Sequence, residues 1–259
     1  MKNVEATLKT VLITGGSSGI GKALVHAFAV QGYDVVFTYR SGKSKAEEVL
    51  QELCDFRVRA VFWDASDREN LNQLKQAVPK VDVLINNAGL GSATVARISE
   101  DVFEQDRLLL EVNSVAPLWL IRSYIEQMKC DGGVIINISS VGGGITQFPG
   151  FSPADGMSKA ALTFLTKQLA AELAYYPVHV FAVCPGATET PMFGASTLDH
   201  LSENERSKLL QKLPGKRLIS PSEIADICIY LATENAQVLR GSILDASLGL
   251  GSNPGLLQK

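Results

Sequence analysis

Short apolar runs alternate with longer stretches of helical spacing along the whole chain. TVLIT (10–14) is followed by glycines and then by GKALVHAFAVQG, whose apolar residues recur at helical intervals. YDVVFTYR (33–40) precedes the charged helical pattern SKAEEVLQEL, and VRAVFWD (58–64) precedes DRENLNQLKQAV. VDVLINNAG (81–89) leads into a helical region from about Glu100 to Met128, and GGVIINISS (132–140) into a second from about Pro153 to Tyr175. VHVFAVCPG (178–186), a helical insert, the helix pattern SEIADICIYLAT (222–233) and GSILDAS (241–247) complete the series. Strand runs that are apolar throughout, rather than alternating, predict burial on both faces. Strand and helix in strict alternation predict parallel β-α-β units. The fold class expected is therefore α/β, a Rossmann-type doubly wound parallel sheet with helices on both faces. No linker, composition break or repeat divides the chain, so one domain over 1–259 is expected. Its last stretch, GLGSNPGLLQK, reads as a loop or extended end.

Composition narrows the class. A hydrophobic content of 46% with 20% charged residues is ordinary for a globular chain, and the net charge of −3 offers no basic field to nucleic acid. Cys54, Cys130, Cys184 and Cys228 are scattered, without C-x-x-C spacing, as expected of reduced thiols in a cytosol. The apolar runs are strand-length, so no membrane span is expected, and no signal peptide is read before the first glycines. A cytoplasmic protein is the expectation. His26, His179 and His200 match no metal spacing, and no metal is expected.

The candidate chemistry starts at the glycines. Gly15, Gly19 and Gly21, with Ser17, Ser18 and Ile20 between them, follow the first strand and open a helix. A tight turn, close backbone approach and a helix N-terminus are what a dinucleotide pyrophosphate needs. The second strand ends in Tyr39, Arg40 and Ser41 with Lys43 nearby, and no acid stands at its end to hold a ribose 2′-hydroxyl. Arg40 is placed for a 2′-phosphate, so NADP(H) is favoured over NAD(H). Asp64, followed by Ala65, closes the third strand and would accept from the adenine amino group.

Together TGGSSGIG (14–21), NNAG (86–89), Asn113 in LEVNSVAPL, NISS (137–140), Lys159 in MSKAA and CPGATETPM (184–192) resemble the short-chain dehydrogenase/reductase family. The match covers nearly the whole chain. The resemblance implies a seven-stranded sheet and hydride transfer between NAD(P) and a carbonyl or alcohol. It implies that Asn86, Asn87, Ala88 and Gly89 line the adenosine ribose and brace the sheet. Asn113 would kink its helix and hold a relay water. Ser140, rather than Ser139, would bind the substrate oxygen, and Lys159 would contact the nicotinamide ribose. Pro185, Gly186, Thr188 and Thr190 would shape the nicotinamide pocket.

The family's acid is a tyrosine four residues before the lysine, and here that position is Asp155. Aspartate is shorter and starts near about 3.9 where tyrosine starts near about 10. Beside Lys159 it is expected to be ionised and salt-bridged. Three readings follow. The chain is an NADPH-dependent enzyme in which Asp155 is an introduced or tolerated change. It is a divergent enzyme using Asp155 as base or cation anchor, for imine reduction or a non-redox isomerisation or cyclisation. Or it is a catalytically silent NADP-binding protein.

The resemblance further implies a mobile helical lid at about 193–215, with Phe193 and Leu198 toward the ligand. It implies dimers or tetramers through the helix at 153–175, where Ala160, Ala161, Leu165, Leu169 and Ala170 are small or apolar. The lid and GGGITQFPGF (142–151) suit a small apolar substrate.

Overall fold

Seven strands lie side by side, all parallel, in the order β3-β2-β1-β4-β5-β6-β7. A computed structural model describes residues 8–149 and 151–253. The strands are β1 (Thr10–Ile13), β2 (Asp34–Tyr39), β3 (Val58–Phe62), β4 (Val83–Asn86), β5 (Gly133–Ile138), β6 (Val178–Pro185) and β7 (Ile243–Ala246). The helices between them are α1 (Gly19–Val30), α2 (Lys43–Glu52), α3 (Arg68–Ala77), α4 (Ser92–Ile98), α5 (Val102–Leu110) and α6 (Ala116–Asp131). A short turn, α7 (Val141–Gly144), precedes α8 (Pro153–Glu172), and α9 (Pro191–Phe193), α10 (Glu203–Lys212) and α11 (Pro221–Leu231) follow β6.

The apolar strands are buried on both faces. Val11, Leu12 and Ile13 are all fully buried, but they face opposite ways. Val11 and Ile13 pack with Leu24 and Phe28 of α1, Val49 of α2 and Ile224 of α11. Leu12 packs with Leu74 of α3, Leu120 and Tyr124 of α6 and Leu169 of α8. Each such side chain is worth about 1.5–3 kcal/mol of burial, which holds the sheet between two helical layers. The strand order reverses between β1 and β4, and the crevice at the carboxyl ends of those strands is where this architecture binds ligands.

Several elements differ from the sequence pattern. The helical region from Glu100 is two helices, α5 and α6, joined by a π-helical turn at Glu111–Val115 that contains Asn113. Helix α4 has no counterpart in the pattern, because GSATVARI is short and mostly small or polar. Helix α8 stops at Glu172, leaving Tyr175 beyond it fully exposed. The insert at 193–215 is only partly α-helical, with a π-helical turn at Gly194–Leu198 ahead of α10. The described part of the tail is a loop, the first of the two forms expected, and it folds back on the domain. Gly251 N–H donates to Ser247 Oγ, and Leu250 is buried with Val141 and Leu213. Residues 254–259 lie outside the described residues.

Candidate active site

A cleft of about 970 Å³ opens along the carboxyl ends of the strands. Its glycine end is built by steric exclusion. Gly15 has φ +70°, and a Cβ on Gly21 would lie 2.0 Å from Gly15 O and 2.6 Å from Asn87 Nδ2. No larger residue fits there without moving backbone. Asn87 Nδ2 donates to Thr14 O at 2.8 Å, and Thr14 Oγ1 accepts from Asn87 N and Ala88 N at 3.0 and 2.9 Å. Thr14 thus ties the loop after β1 to the loop after β4. The cradle left free suits a flat, anionic cofactor laid across the switch point, so the residues present fit a dinucleotide.

The sequence candidates converge here. Gly15, Ser17, Ser18, Gly19, Ile20 and Gly21 line this cleft, as do Tyr39, Arg40, Ser41, Asp64, Ala65, Asn87, Ala88 and Gly89. Ser140, Asp155, Lys159, Pro185, Gly186, Thr188 and Thr190 line its other half. Asp64 is partly engaged already, its Oδ1 accepting from Ser66 N and Ser66 Oγ. Asn86 and Asn113 sit behind the wall rather than on it. Asn86 Nδ2 donates to Asn137 Oδ1, and Asn137 donates on to Thr166, a buried polar chain across β4, β5 and α8. Asn113 Oδ1 accepts from Leu90 N, and its Nδ2 donates to Leu90 O and to Ser158 Oγ. Its amide is used up holding the loop after β4 against α8.

The two serines divide their work. Ser139 Oγ donates to Lys159 O at 2.8 Å and is buried. Ser140 Oγ accepts from Gly142 N, which leaves its O–H free toward the cleft.

Asp155 is the third residue of α8, in the segment Ser152-Pro153-Ala154-Asp155. Ser152 caps the helix, its hydroxyl accepting from Asp155 N. A Cβ on Gly143 (φ +90°) would lie 2.3 Å from Gly156 O, so only glycine lets the turn after β5 pack this close to α8. The Asp155 carboxylate accepts from Ser92 Oγ at 3.3 Å. The expected salt bridge with Lys159 is not formed: among the described residues no ion pair within 4.0 Å joins them. Lys159 Nζ lies beside Gly89 and Asn113. Burial pushes the Asp155 carboxyl up, against the opposing pull of Lys159 and Ser92. Burial likewise pushes the Lys159 ammonium down, against the attraction of Asp155. For both groups desolvation is the largest influence, and their mutual attraction opposes it.

Among the described residues lining the cleft, Tyr39 is the only tyrosine, and it follows the glycine end. Ser92 and Trp63 also line the cleft and belong to no motif, and Met192, the last residue of CPGATETPM, lines it too. Nothing in the order of residues points to Ser92, whose partner is 63 positions away. Of the lid candidates, Phe193 reaches the cleft with Ser196 and Thr197, whereas Leu198 does not. Among the described residues no group of three or more His, Cys, Asp or Glu is arranged for a metal, and no helix is long and apolar enough to cross a membrane.

Fold and site together define an α/β oxidoreductase with a Rossmann-type sheet. The chain belongs to the short chain dehydrogenase family, whose model matches residues 9–200. It is 34% identical over 250 residues to an uncharacterized oxidoreductase of Thermotoga maritima, covering 93% of this chain and 96% of that one. It is 31% identical to the 3-oxoacyl-[acyl-carrier-protein] reductase FabG of Rickettsia felis, over 95% and 98% of the two chains. A crystal structure of an actinorhodin polyketide ketoreductase with NADPH superposes with a TM-score of 0.84 at 28% identity, over 94% of this chain and 97% of that one.

Proposed function

We propose that the chain is one NAD(P)-binding domain that works with NADPH in preference to NADH. On this reading it moves a hydride between the cofactor and a carbonyl or alcohol carbon of a small apolar substrate. The observation that carries the reading is one cleft with Arg40 and the glycine loop at one end and Ser140, Asp155 and Lys159 at the other. The cofactor supplies the hydride when bound. Gly15, Ser17, Ser18, Gly19, Ile20 and Gly21 would hold its pyrophosphate, and Asp64 and Ala65 its adenine. Tyr39, Arg40 and Ser41 would receive the 2′-phosphate, since a guanidinium pairs with phosphate and no acid at this strand end repels it. Neighbours solved with NADPH and with NADP support this choice.

Ser140 would donate its free O–H to the substrate oxygen, and Lys159 would act on the nicotinamide ribose. Pro185, Gly186, Thr188 and Thr190 would wall the reacting end. Asn113 would hold the loop at Leu90 so that Gly89 stays against Lys159. Asp155 stands in place of the family's tyrosine acid. The insert at 193–215 would close over substrate. A homodimer or homotetramer is part of the reading, supported by Phe103 and Phe164, which are 85% and 70% exposed on α5 and α8. A cytoplasmic location fits the unpaired thiols. Titration with NADPH and NADH, followed by turnover on small ketones, tests the proposal. Equal or absent binding of the two cofactors refutes the NADPH preference.

A further inference from the structure

An N-cap serine followed three residues later by an acid opens α8, α10 and α11, and the carboxylate has two fates. In α10 and α11 the acids Glu205 and Glu223 reach back to the cap residue's own N–H and close the cap. In α8 only half of that motif is made. Ser152 accepts from Asp155 N, but the Asp155 carboxylate swings to Ser92. Ser92 is its only hydrogen-bond partner among the described residues, against about four acceptor positions that a carboxylate offers.

We propose that Asp155, braced by Ser92, forms a subsite for a protonated nitrogen, so that the substrate is a small apolar molecule bearing an amine or iminium group. The inference rests on the cleft being the substrate site of this dehydrogenase. Asp155 is 8% exposed and lines the cleft, so the part of it left uncovered faces the space a ligand would fill. A carboxylate accepts hydrogen bonds and an ammonium donates them, and each makes good the other's lost hydration. An aspartate ends well short of where a tyrosine hydroxyl would stand, and a substrate N–H spans that gap. Phe148, Phe151 and Phe193 line the same cleft, and aromatic faces attract organic cations. Among the described residues lining the cleft, Arg40 and Asp64 follow β2 and β3 at the far edge of the sheet, and Lys159 is the one cation at the Asp155 end. Burial pushes the Lys159 ammonium below its ordinary value, against the attraction of Asp155.

The test is calorimetric titration of the full chain with benzylammonium and with benzyl alcohol, its neutral isostere, with and without NADPH. Benzylammonium is expected to bind, and Asp155→Asn to weaken it by about tenfold or more while changing benzyl alcohol little. Ser92→Ala is expected to weaken benzylammonium less, by about threefold. Circular dichroism and the NADPH titration of the same samples report folding and the cofactor site. No binding of benzylammonium, or equal binding by the wild type and a folded Asp155→Asn protein, overturns the subsite. If benzylammonium discriminates but NADPH does not bind, the subsite stands and the cofactor reading falls. If NADPH binds and benzylammonium does not discriminate, the subsite alone falls.

Discussion

The carboxylate of Asp155 accepts a hydrogen bond from the hydroxyl of Ser92, 63 residues earlier, and makes no ion pair with Lys159 one helical turn on. An i, i+4 acid–lysine pair is normally a ready partnership. Here no such pair is made, and burial is the largest influence on how each of the two titrates.

The Asp155 carboxyl is expected to titrate above the ordinary range of about 3.9, as read by carbon NMR of the labelled side chain. Ser92→Ala should move it further up, because the lost hydrogen bond favoured the charged form. The folded-state value is raised, so the stability contribution is full below the ordinary value and is lost as pH rises through the raised one. Asp155→Asn removes that loss. Its unfolding free energy should therefore fall less than the wild type's between about pH 4 and about pH 7.

Asp155→Tyr restores an acid of full reach. On neutral ketones with NADPH it should raise kcat/KM by about 10²–10⁴-fold, measured by loss of NADPH absorbance. No gain in a folded variant that still binds NADPH would show that the position does not govern proton transfer.

Arg40→Ala should weaken NADPH by about tenfold or more and leave NADH nearly unchanged. Fluorescence titration with both cofactors checks it. Parallel losses for the two would place Arg40 away from the 2′-phosphate.

Gly21→Ala forces a methyl group to within 2.0 Å of Gly15 O. Backbone on both sides must move, so NADPH binding should drop by about a hundredfold and thermal stability should fall. Gly32→Ala serves as control for binding, since a Cβ there meets nothing within 4 Å, although its φ of +81° carries a backbone cost.

The four cysteines should divide evenly. Cys54 and Cys130 are exposed, whereas burial pushes Cys184 up to about 11 and Cys228 up to about 12. At about pH 8 a disulfide-exchange reagent should titrate two thiols in the native protein and four after denaturation.

Much of this was legible in the order of residues. Val11, Leu12 and Ile13 are uniformly apolar because both faces of β1 are covered, and that pattern reads directly as a central parallel strand. Gly15, Gly19 and Gly21 announce the loop because backbone conformation and close approach allow nothing else. The end of β2 likewise shows Arg40 and no acid without any coordinates.

Other features were not legible, for a physical reason. Periodicity and turn chemistry are local, set by neighbours within a few residues. Helix α4 was invisible because its stability comes from packing onto the fold and not from its own pattern. The hydrogen bonds of Asn113 to Leu90 and Ser158 and the reach of Phe193 but not Leu198 are rotamer and register choices made by distant partners. The sequence by itself determined the parallel α/β sheet, the glycine loop and the presence of an aspartate at position 155. Only the tertiary structure decided that this aspartate turns to Ser92, because the folded sheet brings the start of α4 to the start of α8, and burial there, not sequence spacing, raises the carboxyl.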